Sequence, residues 1–151
     1  MSQRAHSWRV LLSQIEEAAI NLNQNFKFLK LELKKVDEAR GIAWINFTSK
    51  DGTKRGLQIA SKGRFPIDPP SIVLVTPDTF RSSPDVWPRM DHFFGPGRFD
   101  RFKEGFICVS VTWEYKDFKN ATDWGLETDG SDKIRTLEAA LLLIFRQANF
   151  V

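Results

Sequence analysis

Apolar residues return every three or four positions near the start of the chain. Trp8, Leu11, Leu12, Ile15, Ala18, Ala19 and Leu22 fall on one face of a helix, with charged and amide side chains on the other. The spacing predicts a helix from Ser2 to Asn21. After Asn23 and Asn25 the period shortens towards two. Phe26 to Lys34 alternates aromatic or aliphatic residues with Lys27, Lys30, Glu32 and Lys34, and the alternation slips between Phe28 and Leu29 as it would at a bulge. A first strand is expected there. Asp37 to Gly41 has turn composition, Ile42 to Thr48 reads as a second strand, Lys50-Asp51-Gly52 as a hairpin turn, and Arg55 to Ala60 as a third strand.

Phe65-Pro66-Ile67-Asp68-Pro69-Pro70 breaks the alternation, because each proline removes a backbone donor and holds the chain extended. By itself it reads equally well as a corner between strands. Ser71 to Thr76, with Ile72, Val73, Leu74 and Val75, predicts a fourth strand that is apolar on both faces and therefore covered on both. From Pro77 to Lys103 there is no period. A stretch of that length between elements carries function more often than the ordinary connection does. Ile134 to Ala148 restores a helical pattern through Leu137, Leu141, Leu142, Ile144 and Phe145, apolar enough to be mostly buried. The order predicts one α+β domain over residues 1–151: an N-terminal helix, a four-stranded antiparallel meander, a long loop and a C-terminal helix.

Composition narrows the function classes only slightly. With 22 Lys and Arg against 19 Asp and Glu in 151 residues, the net charge of +3 does not demand nucleic acid or a membrane surface. One cysteine cannot make an internal disulfide, the N-terminus lacks an apolar signal core, and no apolar run is long enough to span a bilayer. A reducing, cytoplasmic setting is the expectation. Nothing in the composition calls for a cofactor or a metal.

The candidate chemistry gathers at the lone cysteine. Cys108 lies in Gly105-Phe106-Ile107-Cys108-Val109-Ser110-Val111-Thr112, a short apolar run between two polar loops. A free cysteine in such a run is either a small buried hydrophobe or a nucleophile with access to solvent. Around it in sequence stand His92, Asp100, Asp117 and Asn120, groups able to orient or deprotonate an amine or to donate to an oxyanion; each also serves as an ordinary loop polar residue. On the first helix, Arg4, Trp8 and Arg9 form a basic and aromatic cluster suited to an acidic protein partner, or simply a solvated face above a core tryptophan.

Taken together, these segments resemble the ubiquitin-conjugating enzymes. Phe65-Pro66-Ile67-Asp68-Pro69-Pro70 is similar to their aromatic-Pro-x-x-Pro-Pro motif, and Gly105-Phe106-Ile107-Cys108-Val109 to their Gly-x-Ile-Cys-Leu nucleophile segment. His92 stands where their His-Pro-Asn motif begins, Trp124 resembles the tryptophan after their cysteine, and Thr136-Leu137 leads into a helix as their threonine-isoleucine does. The likeness runs from Arg4 to Ala148 with the motifs in family order.

The departures are equally specific. His92 is followed by Phe93-Phe94, so the asparagine that the family uses to hold an oxyanion is missing. The connections on both sides of Cys108 are long, and the chain ends at Val151 where typical members add further helices. These features resemble divergent bacterial members, which implies a bacterial ubiquitination-like pathway of the kind used in antiphage defence. The resemblance implies that Cys108 carries a ubiquitin-like protein as a thioester. It would accept it from an activating enzyme and pass it to an amine of a protein substrate, with His92 catalytic, Asn120, Asp117 and Asp100 supporting, and Arg4, Trp8 and Arg9 binding a partner. Two other readings stay open: a non-catalytic module of the same fold that binds a ubiquitin-like protein, and, ranked last, an RNA-binding domain using Arg98, Phe99, Arg101 and Phe102.

Overall fold

The structure is a computed structural model that describes residues 2–61, 65–67, 70–81 and 136–151. Helix α1 (Gln3–Asn25) is followed by β1 (Glu32–Asp37), β2 (Ile42–Thr48), β3 (Lys54–Ala60), β4 (Ser71–Val75) and helix α2 (Leu137–Gln147). The four strands form one antiparallel sheet in the order β1-β2-β3-β4, the meander that the alternating segments predict. The fold is α+β.

Helix α1 begins where expected. Ser2 is extended at the N-cap, and its hydroxyl accepts from the Ala5 amide at 3.1 Å. Its far end corrects the sequence reading, because the helix runs through Asn23 to Asn25 instead of stopping at Asn21. Asparagine is a poor helix former in isolation, yet Asn23 has a long-range task. Its Oδ1 accepts from the Leu31 amide at 2.7 Å and its Nδ2 donates to the Leu31 carbonyl at 3.0 Å.

That clamp also explains the second correction: β1 starts at Glu32, and Phe26 to Leu31 is a connecting turn. Leu29 donates to the Phe26 carbonyl, Lys30 takes φ +48°, and Leu29 and Leu31 enter the core from this turn. The bulge lies between Leu33 and Lys35, not at Phe28 and Leu29. It falls on an edge strand studded with Lys34 and Lys35, features that discourage pairing with another chain.

The two hairpin turns form as read. Gly41 (φ +66°) closes the first, whose Arg40 amide donates to the Asp37 carboxylate. Gly52 (φ +88°) closes the second, whose Thr53 amide donates to Asp51. Strand β3 begins one residue earlier than expected and β4 ends one residue sooner. Every residue of β4 is buried, as its two-sided apolar character requires.

One core joins the layers. Trp8, Leu11, Ile15, Ala18 and Leu22 of α1 meet alternate residues of the sheet (Ala43, Ile45 and Phe47; Leu57 and Ile59; Ile72 and Leu74) together with Leu137, Ala140, Leu141, Ile144 and Phe145 of α2. Phe65 is buried in this core, and the Phe65–Pro66 peptide bond is cis.

Helix α2 starts at Leu137, three residues later than the pattern from Ile134 predicts. Thr136 is extended at the N-cap and accepts from the Ala139 amide at 3.2 Å, while Gln14 of α1 accepts from the Leu137 amide at 2.8 Å. The cap starts the helix three residues after the apolar period begins. After α2 the chain closes back on the β2–β3 hairpin. The Phe150 carbonyl accepts from the Lys50 amide, the Arg55 guanidinium lies 4.2 Å from the centre of the Phe150 ring, and that ring packs with Phe47 and Phe145. Among the described residues no helix is long and apolar enough to cross a membrane.

Candidate functional site

Cys108, His92, Asp100, Asp117 and Asn120 lie outside the described residues, as do Trp124 and the whole Gly105 to Thr112 segment. What the structure describes is the frame on either side of them. The frame comprises the turn that leaves β4, the cap that begins α2, and the amino-terminal end of α1.

The motif before β4 is described in part. Phe65 is anchored in the core, Pro66 and Ile67 are exposed, Pro70 is buried, and Asp68 and Pro69 lie outside the described residues. Thr136-Leu137 forms an N-cap and first helical residue. The Asn21 amide donates to the Glu138 carboxylate at 2.6 Å, so α1 and α2 are tied at the point where the chain returns.

At the other end of α1 the three residues proposed to meet a partner part company. Trp8 is 5% exposed and belongs to the core. Arg4 is exposed and donates from Nη2 to the Ala39 carbonyl at 2.9 Å, bridging the helix to the β1–β2 turn. Arg9 is exposed. A cleft of about 210 Å³ opens here, walled by Ser2, Arg4, Trp8, Glu38, Ala39 and Gly41. Arg4 and Arg9 are therefore placed to present charge, whereas the tryptophan is the floor on which they stand.

A polar arrangement that the hydrophobic pattern does not single out occupies the sheet face opposite the core. Asn46 is the one amide in Ile42-Ala43-Trp44-Ile45-Asn46-Phe47-Thr48, and it is 3% exposed. Its Nδ2 donates to Asp78 Oδ1 at 2.6 Å and its Oδ1 accepts from the Asp78 amide at 3.1 Å. Lys54 donates from Nζ to Asp78 Oδ2 at 3.0 Å. Those bonds hold the Asp78 carboxyl below its ordinary pKa, the Lys54 hydrogen bond first and the Asn46 bond second. On the same face Lys35 Nζ sits 5.0 Å from the centre of the Trp44 ring, and Trp44 donates to Gln58 Oε1. A lone amide inside an apolar strand is the signal that points to Asn46, since such a group is buried only with a partner.

The chain matches no family model, no curated protein and no solved structure.

Among the described residues no three His, Cys, Asp or Glu side chains gather as metal ligands. The most perturbed described carboxyl, Asp51, is lowered to about 2 by hydrogen bonds from Ser49 and Thr53 in an exposed hairpin, a structural role.

Proposed function

We propose that the protein carries a ubiquitin-like protein as a thioester on Cys108, taking it from an activating enzyme and passing it to an amine of a protein target. The observation that carries this reading is order. The proline motif precedes β4, the Gly-x-Ile-Cys segment follows it, and a threonine-capped helix closes a core already built from one helix and a four-stranded antiparallel meander. That is the sequence in which the ubiquitin-conjugating enzymes present the same parts.

The first step asks little of its surroundings. The Cys108 thiolate attacks the carbonyl of the thioester on the activating enzyme, the carbon–sulfur bond to that enzyme breaks, and its cysteine leaves as a thiolate as the new thioester forms. The exchange is nearly neutral in energy. Onward transfer to a lysine needs more, because the amine loses a proton and the tetrahedral oxyanion needs donors. With Phe93-Phe94 in place of Pro-Asn, the family's asparagine is absent. His92 and Asn120 are the donors proposed to replace it, with Asp100 and Asp117 to orient or deprotonate the amine. Arg4 and Arg9, exposed at the head of α1, are the charges offered to the activating enzyme.

The test uses the cognate activating enzyme, its modifier and ATP on a gel without reductant. A Cys108 adduct cleaved by thiol, and replaced in Cys108→Ser by an ester that thiol does not cleave, supports the reading. Absence of any adduct with a proven partner set leaves the non-catalytic binding module, which the missing asparagine favours.

A further inference from the structure

The sheet face turned away from the core is occupied by a short piece of the chain itself. The turn that leaves β4 folds back over β3 towards β2. Gly56 makes room for it, since a β-carbon there would stand 2.9 Å from the Thr76 carbonyl oxygen. Two side chains of the turn then reach the face. The Asp78 carboxylate accepts from Asn46 Nδ2 at 2.6 Å and from Lys54 Nζ at 3.0 Å, and the Phe80 ring centre stands 6.1 Å from that of Trp44. Asn46 and Trp44 are 3% and 6% exposed, so the face closes tightly around these groups.

The side chains fit, but the backbone that brings them is strained. Asp78 takes φ +65° and Phe80 φ +53°, both in the left-handed region. Aspartate visits that region at modest cost, whereas a phenylalanine there is an outlier, held only because its surroundings over-determine it. The cause is the direction of delivery. The turn comes from β4 at the edge of the sheet and has to cross β3 to reach β2.

An extended peptide meets the same two groups without that strain. Asn46 and Trp44 lie two residues apart on one face of β2, a separation of about 7 Å, and side chains two apart in any extended chain share it. A carboxylate over Asn46 and Lys54 and a ring over Trp44 are what an Asp-x-Phe segment presents when it runs antiparallel to β2. Charge agrees with this. Lys35 Nζ lies 5.0 Å from the centre of the Trp44 ring, Lys34 is near enough to help keep the Asp78 carboxyl ionised, and the neighbouring Glu32 is paired with Lys34.

We propose that the sheet face around Asn46, Lys54 and Trp44 is a docking site for an extended acidic segment of a protein partner, one with an aromatic residue two positions after an aspartate. The Thr76 to Arg81 turn occupies that site in cis and is displaced when the partner binds. The inference uses no property of Cys108 and stands or falls apart from the thioester.

The probe is a peptide blocked at both ends, Gly-Asp-Thr-Phe-Gly, titrated by nuclear magnetic resonance into the wild type and into Asp78→Ala combined with Phe80→Ala, which lacks both cis groups. The Trp44 indole and the Asn46 side-chain amide are expected to shift in the double variant. Its dissociation constant is expected to be about tenfold lower than that of the wild type, where the tethered turn competes. In the wild type, peptide added until the shifts level off is expected to speed hydrogen exchange of the Asp78 amide about tenfold, because its bond to Asn46 Oδ1 is given up.

No shift at Trp44 and Asn46 in either protein overturns the site. Equal affinity for variant and wild type overturns the competition. Unchanged exchange at Asp78 overturns the displacement, and this readout uses the wild type, so it does not depend on the variant folding. Shifts that follow protein concentration with no peptide present assign the face to a second copy of the chain and overturn the acidic occupant.

Discussion

At the scale of single residues, the described structure shows why some polar groups matter and others do not. Asp51 is exposed, yet hydrogen bonds from Ser49 and Thr53 lower its pKa from 3.8 to about 2. A carboxyl lowered on folding adds stability above its unfolded value and loses it as pH falls through the folded one. The stability difference between the wild type and Asp51→Ala is therefore expected to be constant above about pH 5, to shrink as the acid is titrated, and to vanish below about pH 2. Denaturant melts across that window check it, and a difference that grows on acidification would contradict the hydrogen-bond account. Phe150 behaves as a core residue despite its place near the last residue: it is 2% exposed, with Phe47, Phe145 and Arg55 around its ring. Phe150→Ala is expected to cost about 3–5 kcal/mol in chemical denaturation. For the proposed reaction, His92→Ala is expected to slow discharge to an amine more than loading, measured by single-turnover kinetics. Equal slowing of both steps would remove its role.

At the scale of elements, local pattern and tertiary demand disagree at three places, and each disagreement has a named cause. Asn23 and Asn25 carry the composition of a helix end, but the two bonds from Asn23 to Leu31 keep α1 intact to Asn25 and turn the following aromatic segment into a connection. Phe26, Phe28, Leu29 and Leu31 alternate well enough to read as a strand because a turn that feeds the core needs apolar residues too. At α2 the apolar period runs back to Ile134, while the Thr136 hydroxyl fixes the start at Leu137. Strand β2 was legible end to end, since a nearly continuous apolar run and both flanking turns agree there. Two substitutions follow from these causes. Thr136→Ala is expected to lose about 1 kcal/mol through the cap. Asn23→Ala is expected to lose about 2 kcal/mol, with faster exchange at Leu31, because both its bonds go to one backbone position. No effect of Asn23→Ala on exchange at Leu31 would show that the helix continues for another reason.

At the scale of the whole molecule, the order of elements was legible because the core needs it. Among the described residues, periodic apolar faces on α1, alternate residues on the sheet and a nearly all-apolar α2 cover one another. The candidate site was legible differently. Cys108 and His92 stand out as residue types and as a resemblance, whereas Asn46 and Asp78 are distant in sequence and signal themselves only by polarity and by a turn-forming Pro77-Asp78 pair. Trp8 shows the limit of reading a surface from composition. It sits among basic residues in sequence but points into the core, leaving Arg4 and Arg9 to face solvent. Charge on that face gives a further expectation: Arg4→Glu with Arg9→Glu is expected to raise the concentration of activating enzyme needed for half-maximal loading, with little change in the rate at saturation. Binding measured at two salt concentrations checks it, the loss being smaller at high salt.

The proposed function depends most on whether the sole cysteine takes an acyl group from a partner. Intact-mass spectrometry of the protein after incubation with the activating enzyme, modifier and ATP measures this directly. The predicted result is a species heavier by one modifier less one water, attached at Cys108 and returned to the free mass by added thiol. Unmodified protein, or an adduct that survives thiol or persists in Cys108→Ala, would contradict it.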